Sequence, residues 1–311
     1  MEPIDQDTGI ILLAFGGPNS LEEVEPFLKN IFPNSKLSPA FQEEIKERYR
    51  LIGGKSPLLD ITIRQACLLQ TNLQRKGKPL AVFVGMRFWR PFIPETIKIM
   101  VERGIKRIFC LILSPFITSA TAEGYWKIVN QSIKDISSLV EVQFIPSWNH
   151  HLLYLKAVKE KIEEALNRFP VATQHLVPLI FSVHSLPLRY VKEDPYVAEI
   201  RKTVRELMSF LKKNKEWYLA FQSSGKGEWL SPSVEEVLVQ LEENGKKEVL
   251  IVPLGFVSDH LETLYDLDIA LKKKAEERGI NLQRAAALND TPEFIEALSQ
   301  VIIDFIGFSK T

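Results

Sequence analysis

Short, uninterrupted apolar runs alternate along this chain with longer stretches in which apolar residues recur every three or four positions. The runs are GIILLAF (9–15), LAVFVGM (80–86), RIFCLIL (107–113), VEVQFI (140–145), LVPLIFSV (176–183), WYLAF (217–221), VLIVPLGFV (249–257) and a weaker one near 283–288. Runs that are apolar on both faces suit strands buried inside a parallel sheet. Helical periodicity fills the spaces between them. SLEEVEPFLKNIF opens at Ser20 with a capping serine and an acidic first turn, and further helices are predicted over 40–52, Leu58 to Lys76 and Pro94 to Arg103. Others follow the hydroxyl-rich SPFITSATAEGYW loop, run to about Arg168 and from Pro195 to Lys212, and start again at Pro232, over 259–277 and from Thr291.

Strand and helix in alternation make an α/β chain with right-handed crossovers. The pattern restarts at PSWNHH (146–151), which marks a boundary between two similar doubly wound domains, 1–147 and 148–290. Each is expected to hold a four-stranded parallel sheet flanked by helices, with an active-site cleft between the two. The closing helix, about 291–311, is positioned to pack back on the first domain.

Composition narrows the function classes. At 311 residues, with 45% hydrophobic and 25% charged positions, the chain reads as an ordinary globular protein with a sizeable core. Lys and Arg number 39 and so do Asp and Glu, so no net field recruits nucleic acid. Two cysteines, Cys67 and Cys110, exclude a disulfide scaffold, a Cys-rich zinc site and an iron–sulfur cluster built from this chain, and no prosthetic group is expected. The stretch MEPIDQDTGIILLAF carries acids where a signal peptide needs bases, and no apolar run approaches the roughly 18 residues of a membrane span. A reducing cytoplasm is the expected compartment.

Chemistry collects at strand ends, where open α/β sheets place their ligands. After the 249–257 run come Ser258, Asp259 and His260, then a helix on which Leu261, Leu264 and Leu267 recur every three residues and Asp259, Glu262 and Asp266 share one face. Asp259 to Glu262 also fits a capping box. Met86 is followed by Arg87-Phe88-Trp89-Arg90, two guanidiniums among aromatics, which suits a flat anionic ligand or, more simply, arginines lying over a core tryptophan. His184 ends the 176–183 run and is either a turn residue or a proton and metal group.

Several tempting motifs fail. GGPNS after Phe15 lacks the third glycine of a dinucleotide loop, and GGKSP has Tyr49 where a phosphate loop needs glycine. Adjacent His150 and His151 point to different helix faces and read as a helix start. Ser185 follows His184, but no G-x-S-x-G elbow occurs.

Taken together, FSVHSLP, FQSSGKGEWLSP, PLGFVSDHLETLYDLD, LLAFGGP with RYRLIGGKSPL, and GMRFWRP resemble the ferrochelatase family, in that family's order, from about residue 9 to 300. The resemblance implies insertion of ferrous iron, a substrate, into a porphyrin. It implies His184 and Glu262 as catalytic and metal-handling residues, with Asp259, His260 and Asp266 as a supporting relay. It also implies porphyrin contacts from Phe15, Arg48, Tyr49, Ser56, Arg87, Phe88, Trp89, Arg90, Tyr125 and Trp229. Two positions depart from the family pattern. Arg90 stands where the G-M-R motif commonly has His, and Phe15 where some coproporphyrin-using members have a Tyr ligand. The porphyrin stays open between protoporphyrin IX and coproporphyrin III. A chelatase for another tetrapyrrole and metal, and a non-catalytic haem-binding protein, are the alternatives.

Overall fold

The chain is described by a computed structural model over residues 7–136, 139–211, 215–225 and 227–308. The expectations placed on residues 1–6, Lys212, Lys226 and 309–311 lie outside those residues. Chain contacts divide the molecule into two units, Met1–Ser147 with Asn289–Thr311, and Trp148–Leu288.

In the first unit, β1 (Thr8–Ala14), β2 (Ala81–Met86), β3 (Arg107–Ile112) and β4 (Glu141–Phe144) form a parallel sheet in the order β2-β1-β3-β4. Every residue of β1 is buried, which is why its sequence shows no alternation. Helices α1 (Val24–Ile31), α2 (Pro39–Leu51), α3 (Leu58–Arg75), α4 (Ile93–Glu102) and α5 (Ser119–Ile136) accompany it.

In the second unit, α6 (Leu152–Leu166), α7 (Leu188–Val191), α8 (Tyr196–Phe210) and α9 (Val234–Glu243) accompany β5 (Leu179–His184), β6 (Trp217–Gln222), β7 (Glu248–Pro253) and β8 (Asn281–Arg284). That sheet is also parallel, ordered β6-β5-β7-β8. A π-helix over Glu262–Leu271 continues into α10 (Lys272–Glu277). The last helix, α11 (Pro292–Phe308), packs on α3 in the first unit. There Asn72 donates to Glu296 and Ser299, each at 2.9 Å, and Lys76 pairs with Glu296 at 2.6 Å.

Four local expectations need correction. The 249–257 run is strand only to Pro253, whose ring removes an amide donor; Leu254 makes one more bond to Ser182 and the chain then turns at Gly255. The last strand is Asn281–Arg284, so the apolar Ala285–Leu288 stretch is buried or half-buried loop. The first helix starts at Val24 with no side-chain cap, because 20–23 form a turn. Finally, 259–277 is not one α-helix. Its buried residues are Thr263, Leu267, Leu271 and Ala275, four apart, and hydrogen bonds close i→i+5 through Leu271. His151 does cap the start of α6, but His150 reaches α8, its Nδ1 2.6 Å from Glu206 and its Nε2 2.8 Å from Glu199.

Candidate active site

In the second unit the strand order reverses between β5 and β7, so their carboxyl ends border a crevice of the kind in which such sheets bind ligands. His184 is the last residue of β5, and the loop after β7 leads into the π-helix that begins at Glu262. Their side chains meet there: His184 Nδ1 lies 3.1 Å from Glu262 Oε2. The same carboxylate oxygen accepts a hydrogen bond from Ser223 Oγ at 2.7 Å, and Tyr196 donates its hydroxyl to the His184 carbonyl at 3.0 Å. Because Glu262 is ionised, Nδ1 carries the proton. Nε2 is then the ring atom left for other work, on a side chain 39% exposed.

Burial opposes charge on both partners, and their mutual attraction outweighs it. Glu262 is driven upward by burial, yet the His184 ring, its hydrogen bond, His260 and Ser223 hold it down to about 2. His184 is pulled down by burial but raised above the usual imidazole range by Glu262 and, more weakly, by Asp266. His260 goes the other way: burial dominates and keeps it neutral, with Nδ1 donating to the Ser258 carbonyl at 3.1 Å. Phe256 lies beside both imidazoles, its ring centroid 6.3 Å from His184 and 4.5 Å from His260.

Asp259 stands apart from this pair. Arg284, at the end of β8, grips Asp268 with two bonds of 2.7 Å and reaches Asp259 at 3.1 Å. The π-helix has Leu261 as its N-cap residue, with no side-chain cap, and Thr263 closes the entry by accepting from His260 N at 2.9 Å. The anticipated Asp259–Glu262 capping box is therefore replaced by other partners for both acids. Arg284 is the tie that holds the helix entry to the sheet, with only 12% of its side chain exposed. Arg284→Ala takes the guanidinium away from both Asp268 and Asp259 and is expected to cost about 3 kcal/mol in urea unfolding, the usual scale for breaking a buried pair. A loss under about 1 kcal/mol would mean that the tie is not structural.

The first unit gathers the basic and aromatic candidates. Phe15, 45% exposed, packs its ring 4.6 Å from Phe88 and 6.5 Å from Phe27, and Phe27 meets Trp89 edge-on. Trp89 Nε1 donates to Glu23 at 2.7 Å. The Arg87 guanidinium lies 4.6 Å from the Phe88 ring centroid and 5.4 Å from that of Tyr125. Burial pushes the Tyr125 phenol up to about 12, with Arg87 opposing. Arg90 points elsewhere: it pairs with Glu95 on α4 at 2.9 Å and is largely exposed. Arg48 pairs with Glu44 one turn back on α2. Tyr49 and Ser56 are buried, and Ser56 sits against Gly17, where an added Cβ would come within 2.5 Å of it; the serine thus locks the two glycine loops together. Trp229 belongs to the second unit and packs over Gly225 beside the 186–188 segment that follows His184.

Three residues of the His184 neighbourhood escaped sequence reasoning. Ser223 holds Glu262 from a backbone with φ +62°, a conformation uncommon outside glycine. Gln222, opposite His184 in the β5–β6 ladder, is buried, and neither of its amide atoms is hydrogen-bonded among the described residues. Tyr196 reaches β5 from α8. Only the rule that strand ends face the ligand points to the first two.

The family model described as Ferrochelatase matches residues 7–305. A ferrochelatase of Geotalea daltonii is 38% identical over 96% of this chain and 98% of its own length. Those of Synechocystis and Deinococcus radiodurans are 38% and 35% identical, covering 96% and 94% of this chain and 82% and 94% of theirs. Among solved structures, SirB from Bacillus subtilis with Fe3+ superposes with a TM-score of 0.59 at 12% identity, covering 96% of this chain and 95% of that one. CbiX, a terminal enzyme of sirohaem biosynthesis in denitrifying bacteria, gives 0.54 at 11%, covering 95% and 98%; likeness at that identity speaks for the fold alone. With a match spanning nearly the whole length and several relatives above one-third identity, this chain belongs to the ferrochelatase family.

Proposed function

We propose that this protein inserts ferrous iron into a porphyrin in haem biosynthesis, with His184 and Glu262 as the groups that handle the proton and the metal. The observation that carries the reading is the 3.1 Å contact between the His184 Nδ1 and a glutamate that stays ionised. Insertion releases two pyrrole protons for each Fe²⁺ that enters. Neutral His184 accepts a pyrrole proton at Nε2, and the imidazolium so formed is stabilised by Glu262 through Nδ1–H. Glu262, with Asp266 on the following turn, offers hard oxygen ligands to the incoming ion. His260 remains neutral and fixes the loop, while Asp259 braces it through Arg284.

Arg87, Phe88, Tyr125 and Phe15 present cation and ring faces suited to a flat molecule bearing carboxylates. Bending that molecule out of plane requires binding energy from such contacts. The setting proposed is cytoplasmic: Cys67 and Cys110 are free thiols, as a reducing compartment leaves them, and among the described residues no helix is long and apolar enough to cross a membrane.

An anaerobic assay offering Fe²⁺ with protoporphyrin IX or coproporphyrin III tests the reading. Turnover of at least one is expected, and the ratio of kcat/KM values names the substrate. Turnover of sirohydrochlorin with Co²⁺ but of neither porphyrin would replace it, and a Soret shift without turnover would make the protein a carrier.

A further inference from the structure

Gly124 lies inside α5, where glycine is a poor helix former and its conformation is one that any residue adopts. No turn, cap or positive φ explains it. What occupies its missing side chain does: a Cβ built at Gly124 would come 2.1 Å from Arg87 Nη2, 2.2 Å from Cζ and 2.5 Å from Nη1. The guanidinium of Arg87 therefore lies in the notch that Gly124 leaves on the helix. Phe88 and the next helix residue, Tyr125, stack beside it at 4.6 and 5.4 Å. Arg87 Nε is buried and unbonded, and Arg87 has no ion pair among the described residues. The neighbouring arginines differ: Arg48 is held by Glu44, and Arg90 by Glu95.

We propose that Gly124 is a positioning residue whose lack of a side chain seats the Arg87 guanidinium, without a protein carboxylate, where it receives a carboxylate of the porphyrin. This rests on the porphyrin reading above. Any side chain at 124 meets the far end of a flexible arginine rather than packed backbone, so Arg87 gives way and α5 does not. Helix propensity and ligand binding then pull in opposite directions at this position. Glycine weakens the helix, and alanine would strengthen it while emptying the seat.

The test is Gly124→Ala, alone and combined with Arg87→Ala, measured by fluorescence titration of a free-base dicarboxylate porphyrin and of its dimethyl ester in the same detergent. Gly124→Ala is expected to hold or raise Tm and to weaken the dicarboxylate by about tenfold, the scale of a charge-assisted hydrogen bond. The ester should bind as it does to the unaltered protein, and the double variant should bind the dicarboxylate no more weakly than Arg87→Ala alone. A lower Tm, equal weakening of acid and ester, or additive effects in the double variant would overturn the proposal. Titration needs no turnover, so failure of the iron-insertion reading would show separately, as porphyrin bound but never metallated by the unaltered protein.

Discussion

Replacing His184 with alanine is expected to lower the rate of iron insertion by about 10²- to 10⁴-fold, the range that a positioned proton-transfer group contributes. The geometry makes the loss one of chemistry rather than architecture. His184 ends β5, and its backbone bonds to Tyr196 and within the sheet do not depend on the ring. The circular-dichroism spectrum should therefore match that of the unaltered protein, and porphyrin should still bind. Removal of the ring also leaves Glu262 with burial acting upward against only His260 and Ser223, so its carboxyl should titrate closer to neutrality. Single-turnover absorbance with Fe²⁺ and pre-bound porphyrin isolates the step. Insertion at more than about one-tenth of the original rate would remove His184 from the proton path.

Glu262→Gln should be nearly as damaging and should leave a distinct signature in pH. Glutamine can still accept from Ser223 but carries no charge, so burial is opposed only by the weaker pull of Asp266 and the His184 pKa falls instead of rising. The acid limb of kcat/KM, which requires neutral His184, should move to lower pH while its plateau drops by about 10²-fold or more. Stability should change in a matching way. Glu262, depressed from 4.5 to about 2, contributes stability that is present above pH 4.5 and is lost as pH falls toward 2. His184, raised, contributes stability that is full below the ordinary imidazole value and is lost as pH rises through its own. These are two views of one ion pair, so the unaltered protein is favoured between those limits. Glu262→Gln should lack the carboxylate's acid-side loss and instead lose stability as pH falls through the imidazole range, because its His184 is held below the ordinary value. NMR titration of the His184 ring checks the direction, and an unmoved or raised value in Glu262→Gln would break the link between the two side chains.

The strands were legible because burial on both faces removes alternation, as in Ile10 to Leu13, whereas crossover handedness leaves their order within each sheet open. β8 was misplaced for the complementary reason. Asn281–Arg284 is a short, half-polar edge strand, while the apolar residues after it leave the ladder once Ala285 N has bonded to the Ile251 carbonyl, and are buried or half-buried as loop. The His184–Glu262 pair could be suspected because local sequence puts His184 at the end of β5 and Glu262 at the start of the helix that follows β7. Its partners could not. Ser223 depends on a left-handed backbone at a non-glycine residue, and Arg284 on a contact spanning 25 residues to Asp259. The helix register was hidden because Leu261, Leu264 and Leu267 imitate an α-helical stripe. The packing instead buries Thr263, whose hydroxyl is satisfied by His260 and so loses its reason to face water.

The widened helix also changes what insertions and deletions mean for this stretch. In an α-helix, losing one residue swings everything beyond it by about 100°. Rings closed i→i+5 hold an extra residue relative to α, so a one-residue deletion within 267–270 can be absorbed by rewinding, with Lys272 to Glu277 kept on their original face. Length variation of a single residue is thus tolerable at this point of the fold while the same change in α9 is not. The slack sits downstream of Glu262 and Asp266, where it can be taken up without turning either carboxylate away.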